Sequence, residues 1–413
     1  MLARHLAPGI CAAARDTPVV FIQGPRQAGK STLVGALPSA AKPWPCVTLD
    51  EGAVAAAAHA DPASFLAGLP DPVVIDEVQR APGLFRAIKL IVDRRRTPGR
   101  FILTGSASIL VLPQVSDALA GRMQVVTLLP FSQGEIDARR ERFIDLAFAA
   151  HPSLPPPSRL TRPGLVERIV RGGFAEVVGR TDPDRRAAWF ESYVATVLQR
   201  DVRDLSQLEQ LPAVPRLLSL LAARCATILN VSEVSRSAGI PSATLHRYLA
   251  LLQGTFLLHR LPSWSRNLGK RLTKAPKSLL VDTGLACHLV GAGPDRLTKT
   301  PLFGPMLENF VAMELMKQRG WSQIQPAMYH YHTATGQEID LVLEDRAGRC
   351  VTIEVKATAT VDHHDFGVTK RLASELGHDF VRGIVLYGGT QPIAFGPNLV
   401  ALPIDSLWTW GAE

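Results

Sequence analysis

The sequence predicts an α/β protein built from three successive regions, and three observations carry that expectation. Short apolar runs, VVFIQ (19–23), VVID (73–76) and RFILTG (100–105), alternate with helical or loop stretches in the first 150 residues. From about residue 164 to 285 the apolar spacing turns mainly helical. After Leu302 strands return in TIEVKA and GIVLY, with helices between them. The expected boundaries are an α/β domain over 1–150, a linker or long exposed loop over the Pro- and Ser-rich 151–163, a helical region over 164–285 and a second α/β domain over 286–413. A chain of 413 residues outgrows one ordinary core, in agreement with several domains.

In the first region the strand VVFIQ runs into GPRQAGKST, which matches G-x-x-x-x-G-K-[ST] in the strand-loop-helix setting that a phosphate-binding loop requires. Gly24, Pro25, Arg26, Gln27, Ala28, Gly29, Lys30, Ser31 and Thr32 are its residues. Backbone amides would wrap the phosphates, Lys30 would reach the β- and γ-phosphates, and the Ser31 hydroxyl would ligate Mg²⁺. PVVIDEVQ supplies the acids, Asp76 for the metal and Glu77 to polarise the attacking water, with a helix-capping acidic pair as the plainer alternative. LTGS follows, and Thr104 or Ser106 is expected either beside the γ-phosphate or simply closing a turn. Arg122 of LAGR is the leading candidate for an arginine finger, supplied in cis or by a neighbouring subunit, with Arg200 and Arg203 as rivals.

The middle region contains VSEVSRSAGIPSATLHRYLALL (231–252), which has the shape of a helix-turn-helix with Gly239 in the turn and Leu245, Leu249 and Leu252 on one face. The next stretch carries Arg260, Arg266, Lys270, Arg271, Lys274 and Lys277 around Trp264 without an acidic residue, a winged-helix-like layout with a basic wing. DNA is therefore the expected partner through phosphate contacts, and protein packing is the competing use of such a unit. The balance of 45 Lys+Arg against 37 Asp+Glu, a formal +8, leans the same way.

The third region offers Glu308 in the helix LENFVAMELMKQ, read as amphipathic, then Asp340 in GQEIDLVLE and the pair Glu354 and Lys356 in IEVKAT. In a strand, Ile353 and Val355 would turn to the core while Glu354 and Lys356 emerge together. The order E…D…E-x-K is that of a restriction-endonuclease-like core, in which the acids bind Mg²⁺ and the lysine positions water. Metal-dependent cleavage is one reading of it, and a fold that has kept the shape without the chemistry is the other. His363 and His364 are expected either to add to this site or, more plainly, to lie in a polar loop.

These residues together resemble a family, the bacterial and archaeal AAA-type ATPases whose C-terminal half is a domain of unknown function with a restriction-endonuclease-like core. GPRQAGKST, VVIDEVQ, LTGSAS, LAGR, LPFS, GGFAEVV, LQRDVRDL, LPSWSRNLGKR, VDTGLACHL, LENFVAMEL, IDLVLE and IEVKAT are similar to its landmarks almost end to end. The resemblance implies ATP hydrolysis by the N-terminal domain and roles for Lys30, Asp76, Glu77, Asp340, Glu354 and Lys356. Ala175 stands in GGFAEVV where Pro is more usual, away from every proposed site.

Five scattered cysteines without C-x-x-C spacing suggest neither a disulfide framework nor a zinc site, and a cytoplasmic location is expected. LAPGICAAA is interrupted by Pro8 and Gly9, so export is not expected, and no apolar run nears the roughly 18 residues of a membrane helix. A homo-oligomer is compatible with all of this.

Overall fold

The computed structural model describes residues 2–37, 44–108, 119–199 and 213–412. Among the described residues the strands form three sheets. The first is parallel throughout, in the order β2-β3-β4-β1-β5, from β1 (Val19–Gln23), β2 (Cys46–Thr48), β3 (Val73–Asp76), β4 (Phe101–Gly105) and β5 (Met123–Thr127). The three strands that the apolar runs predict occupy its centre and are buried along their whole length. Val19, Phe21, Val73 and Ile75 pack on one face against the helix Gly83–Arg94, and Val20, Ile22 and Val74 on the other against the helices Ala7–Asp16 and Lys30–Gly35. Burial on both faces explains why these strands read as continuous apolar runs, each side chain contributing about 1.5–3 kcal/mol.

The middle region is helical, as expected, and encloses a small antiparallel sheet in the order β6-β8-β7, from β6 (Thr227–Ile228), β7 (Leu258–Leu261) and β8 (Lys277–Leu280). Helices Val231–Ala238 and Ser242–Gly254 meet at Gly239, whose φ of 71° is the left-handed conformation that ends the first helix. Leu245, Leu249 and Leu252 are buried, which is the apolar face that the spacing predicts.

The third sheet is mixed, in the order β13-β14-β12-β11-β10-β9, from β9 (Ala327–His332), β10 (Glu338–Glu344), β11 (Cys350–Lys356), β12 (Phe380–Tyr387), β13 (Ile393–Gly396) and β14 (Leu399–Pro403). β9, β10 and β11 pair antiparallel, whereas β11, β12 and β14 run parallel. The helix Phe303–Gln318 lies against it, and its buried residues occupy all sides rather than one stripe. It is therefore a central packed helix and not the amphipathic one expected, because it lies in an apolar cluster that runs from Phe143 to Trp410 and includes side chains of the middle region.

The Pro-rich segment 151–163 is strapped to the C-terminal region instead of standing free. Ser158 bonds the Asp405 carboxylate at 2.7 Å, Trp410 Nε1 donates to the Ser153 carbonyl at 2.7 Å, and Arg162 donates to the Ala357 carbonyl at 3.0 Å.

Candidate functional site

All strands of the first sheet point the same way, so the loops after β1, β3, β4 and β5 gather at one end, the place where parallel sheets leave a ligand crevice. Gly24 opens the phosphate loop at φ 154°, and a Cβ there would run into the Leu128 carbonyl just past β5. Gln27 (φ 63°) and Gly29 (φ 88°) turn the chain over so that the helix Lys30–Gly35 starts at the crevice, with Ala28 buried beneath it. Arg26 and Pro25 complete the loop, and Ser31 and Thr32 are exposed on the first turn of the helix. Lys30 is 5 % exposed and donates to the Gly24 and Pro25 carbonyls at 3.0 and 2.9 Å.

Asp76 ends β3 and faces the loop. Its carboxylate accepts from the Ser31 hydroxyl at 3.0 Å on both oxygens and from the Thr104 hydroxyl. Glu77 has a left-handed backbone (φ 56°), uncommon for a residue other than glycine, and its N–H donates to Thr104 Oγ1 at 3.1 Å. Its carboxylate accepts from Gln79 and from Ser106 at 3.2 Å and makes no helix cap. The capping alternative is thus set aside. Thr104 and Ser106 are buried and hold the two acids in place. Hard oxygens from Ser31 and Asp76, already adjacent beside the glycine loop, form a donor set that suits Mg²⁺.

For Arg122 the cis reading is corrected. Its carbonyl accepts from Val19 N, at the start of β1, so the residue lies at the opposite end of the strands from the phosphate loop, about 13 Å of strand away. There it is paired with Asp93 through two nitrogens. It cannot act as a finger on a nucleotide in its own chain. Arg200 and Arg203 lie outside the described residues.

The second cluster sits where the β10–β11 ladder ends. The register Leu341↔Ile353 places Asp340 across from Glu354, and Asp340 Oδ2 accepts the Val355 N–H at 2.9 Å. Lys356 Nζ lies 3.1 Å from Glu354 and 3.7 Å from Asp365. Glu308 joins from the central helix, so all four residues of the E…D…E-x-K order converge. The sequence reading missed a residue that touches both Glu308 and Asp340. Lys277, from β8, is 1 % exposed and lies 2.5 Å from Glu308, 2.5 Å from Glu338 and 3.4 Å from Asp340. Desolvation opposes its charge, but the three carboxylates outweigh it and its pKa is raised. Burial, then the neighbouring Asp340, pushes Glu308 up to about 8 and Glu354 up to about 7. Asp340 is raised as well, chiefly by burial.

Among the described residues no group of three or more His, Cys, Asp and Glu is arranged to hold a metal ion. As the site stands, Lys277 Nζ occupies the space beside Glu308 and Asp340 and Glu354 is paired with Lys356, so the oxygens expected to ligate a metal already have cationic partners. His363 and His364 are exposed on a short turn.

The basic run divides into engaged and exposed members, with Arg266, Lys270 and Lys274 exposed. Arg271 is bound to Glu344 and lies over the Trp264 and Tyr329 rings at 5.3 and 5.0 Å. Arg266 donates to the Glu375 carbonyl at 2.8 Å, Lys274 to the His332 carbonyl at 2.9 Å, and Lys277 is buried. Arg271, Lys274 and Lys277 thus reach strands of the third sheet, and Arg266 reaches the helix Gly367–Leu376.

Landmark motifs also meet one another away from the phosphate site. Lys317 donates to the Phe131 carbonyl of LPFS at 3.0 Å, and Glu314 accepts the Gln133 N–H at 2.8 Å. Buried Asp282 of VDTGLACHL accepts the Gly173 N–H at 2.7 Å, and a Cβ on Gly172 would strike its carboxylate.

The comparisons with known proteins follow this anatomy. An "AAA domain" model matches residues 16–137, a "Domain of unknown function (DUF8612)" model 162–296, and a "Domain of unknown function (DUF4143)" model 303–407. The N-terminal region is thus a P-loop ATPase domain of the AAA class. The chain is 30 % identical over 415 residues to "Uncharacterized protein Rv2008c" of Mycobacterium tuberculosis, spanning 99 % of this chain and 85 % of that one, and it belongs to the same family. "Uncharacterized protein Mb2031c" of Mycobacterium bovis is matched to the same extent. A Haemophilus influenzae protein is 26 % identical over 255 residues, 60 % of this chain and 58 % of that one. Among solved structures, the Walker-type ATPase PABY2304 of Pyrococcus abyssi is similar at a TM-score of 0.41 with 15 % identity, covering 70 % of this chain and 96 % of that one. Among the described residues no helix is long and apolar enough to cross a membrane.

Proposed function

We propose that this chain binds and hydrolyses ATP with Mg²⁺, and that the nucleotide state acts on a DNA-directed half whose C-terminal domain is restriction-endonuclease-like in fold but silent in chemistry. The observation that carries the first part is the contact of Ser31 and Thr104 with Asp76 beside a glycine loop that presents Lys30. Bound Mg²⁺ supplies charge neutralisation on the β- and γ-phosphates. Ser31 and Asp76 would hold it, Lys30 would bind the phosphates, and Glu77, fixed by Gln79 and Ser106, would orient the attacking water.

The silent reading of the C-terminal domain rests on Lys277 among its acids. A mixed sheet with a helix on the Asp340 and Glu354 strands supports the fold part of the proposal. The helix pair 231–254, followed by the antiparallel β7 and β8, supports a winged-helix unit, and its second helix exposes Ser242, His246 and Arg247 as a surface for DNA beside the exposed Arg266, Lys270 and Lys274. Phosphate release from ATP by the purified chain, with and without Mg²⁺, tests the first part, and no release in any condition removes it. Supercoiled and linear DNA incubated with Mg²⁺ or Mn²⁺, with and without ATP, tests the second. Uncut DNA is expected, and cleavage that depends on Asp340 overturns the silent reading.

A further inference from the structure

We propose that Lys277 is a tethered cation standing in for a divalent metal, so that the acidic cluster of the C-terminal domain holds no metal in the wild-type chain. The inference rests on the restriction-endonuclease-like reading only for where a metal would sit. Each acid there already accepts from a donor fixed by the fold. Glu308, Glu338 and Asp340 Oδ1 take Lys277 Nζ, Asp340 Oδ2 takes the Val355 N–H, and Glu354 takes Lys356. Mg²⁺ demands a near-octahedral shell of oxygens and would have to displace the ammonium or lie directly beside it.

Lys277 has nowhere to withdraw. β8 is the middle strand of its sheet, and Lys277 itself pairs with Ile228 on one side and Leu261 on the other. Asn309, the residue after Glu308, clamps the same strand by accepting the Leu280 N–H at 2.8 Å and donating to the Leu280 carbonyl at 3.0 Å. The lysine and its first carboxylate are thus locked in register, and the side chain is 1 % exposed. A solvated lysine resting on an acidic surface would show none of these features. The cation comes from the middle region and the acids from the C-terminal one, so the pairing also welds the two together.

The test is Mn²⁺ binding to the nucleotide-free full chain, followed by the spin-resonance signal of free Mn²⁺. Wild type and Asp340→Asn should bind equally, since the phosphate site is common to both. Lys277→Met should gain a site at least about tenfold tighter than any the wild type has there, and Lys277→Met with Asp340→Asn should lose it. Lys277→Gln, which keeps hydrogen-bonding capacity, replaces the methionine variant if circular dichroism shows that one unfolded. An Asp340-dependent Mn²⁺ in the wild type overturns the tethered cation while leaving the nuclease-like reading intact. No gained site in either folded Lys277 variant overturns both.

Discussion

Two buried lysines, Lys30 and Lys277, differ in what they touch. Lys30 donates to two backbone carbonyls of its own loop, on the first turn of a helix whose N-terminus already favours anions. Lys277 lies against three carboxylates from a helix and a strand of another region. A phosphate chain competes well with neutral carbonyls. It competes poorly with carboxylates that are fixed in place. A buried lysine therefore marks chemistry only when its present partners are weaker than the ligand that would replace them, and removing each lysine separates the two cases.

The largest effect is expected at the phosphate site. Lys30→Ala should lower ATP hydrolysis on the order of a thousandfold, because a positioned charge is lost where transition-state charge develops. Turnover near wild type would erase the contrast with Lys277. Glu77→Gln should leave ATP binding within about twofold and slow hydrolysis about a hundredfold, since the amide keeps the shape but orients water poorly. Equal losses in binding and turnover would make Glu77 structural.

Much of this contrast is legible in the sequence, and the part that is not has a physical reason. β1, β3 and β4 are buried on both faces and announce themselves as apolar runs, and the phosphate loop is a local motif. Gly239 marks its turn, and the cross-strand position of Asp340 and Glu354 follows from their order. The edge strands β2 and β5 are half exposed, so MQVVT and CVT carry no distinctive pattern. Arg122 is near a motif in sequence but at the wrong end of a parallel strand, which only the sheet direction reveals. Lys277 closes a basic run and reads as part of a wing. The signal that could have reclassified it is the apolar SLLV that follows, which makes it the first residue of a buried strand.

The acidic cluster should also announce itself in pH. Glu308 and Glu354 have folded pKa values of about 8 and about 7 against an ordinary 4.5. Between about pH 4.5 and 8 the folded chain keeps protons that the unfolded chain has released, so stability falls as pH rises through that window and levels off above it. Urea midpoints should be lower at pH 8.5 than at pH 5.5, and Glu308→Gln should flatten the difference. A midpoint that does not fall between these pH values would mean that the acids are already ionised in the folded chain. Within the basic run, Arg271→Ala should cost about 2 kcal/mol of stability, through the lost Glu344 pair and ring contacts, while leaving the salt slope of DNA binding unchanged. A slope reduced by about one unit would return Arg271 to the phosphate backbone.

The smallest effect is expected at Lys356, although it stands in the most suggestive motif of the C-terminal half. Its side chain is 33 % exposed and that of Glu354 18 %, so the pair is partly screened by water and unlike the enclosed Lys277 cluster. Removing the ammonium takes away an influence that holds the Glu354 pKa down, and the carboxyl answers by keeping its proton to still higher pH. No unpaired charge is then stranded near neutral pH, and the usual penalty for breaking a buried pair does not arise. Lys356→Ala should therefore change stability by less than about 1 kcal/mol and leave ATP hydrolysis near wild type. A loss of about 3 kcal/mol or more in denaturant melts would put Glu354 and Lys356 in the same class as Lys277 and its acids. The distinction between a screened pair and a sealed one would then have to be redrawn around Asp340, the residue that both clusters share.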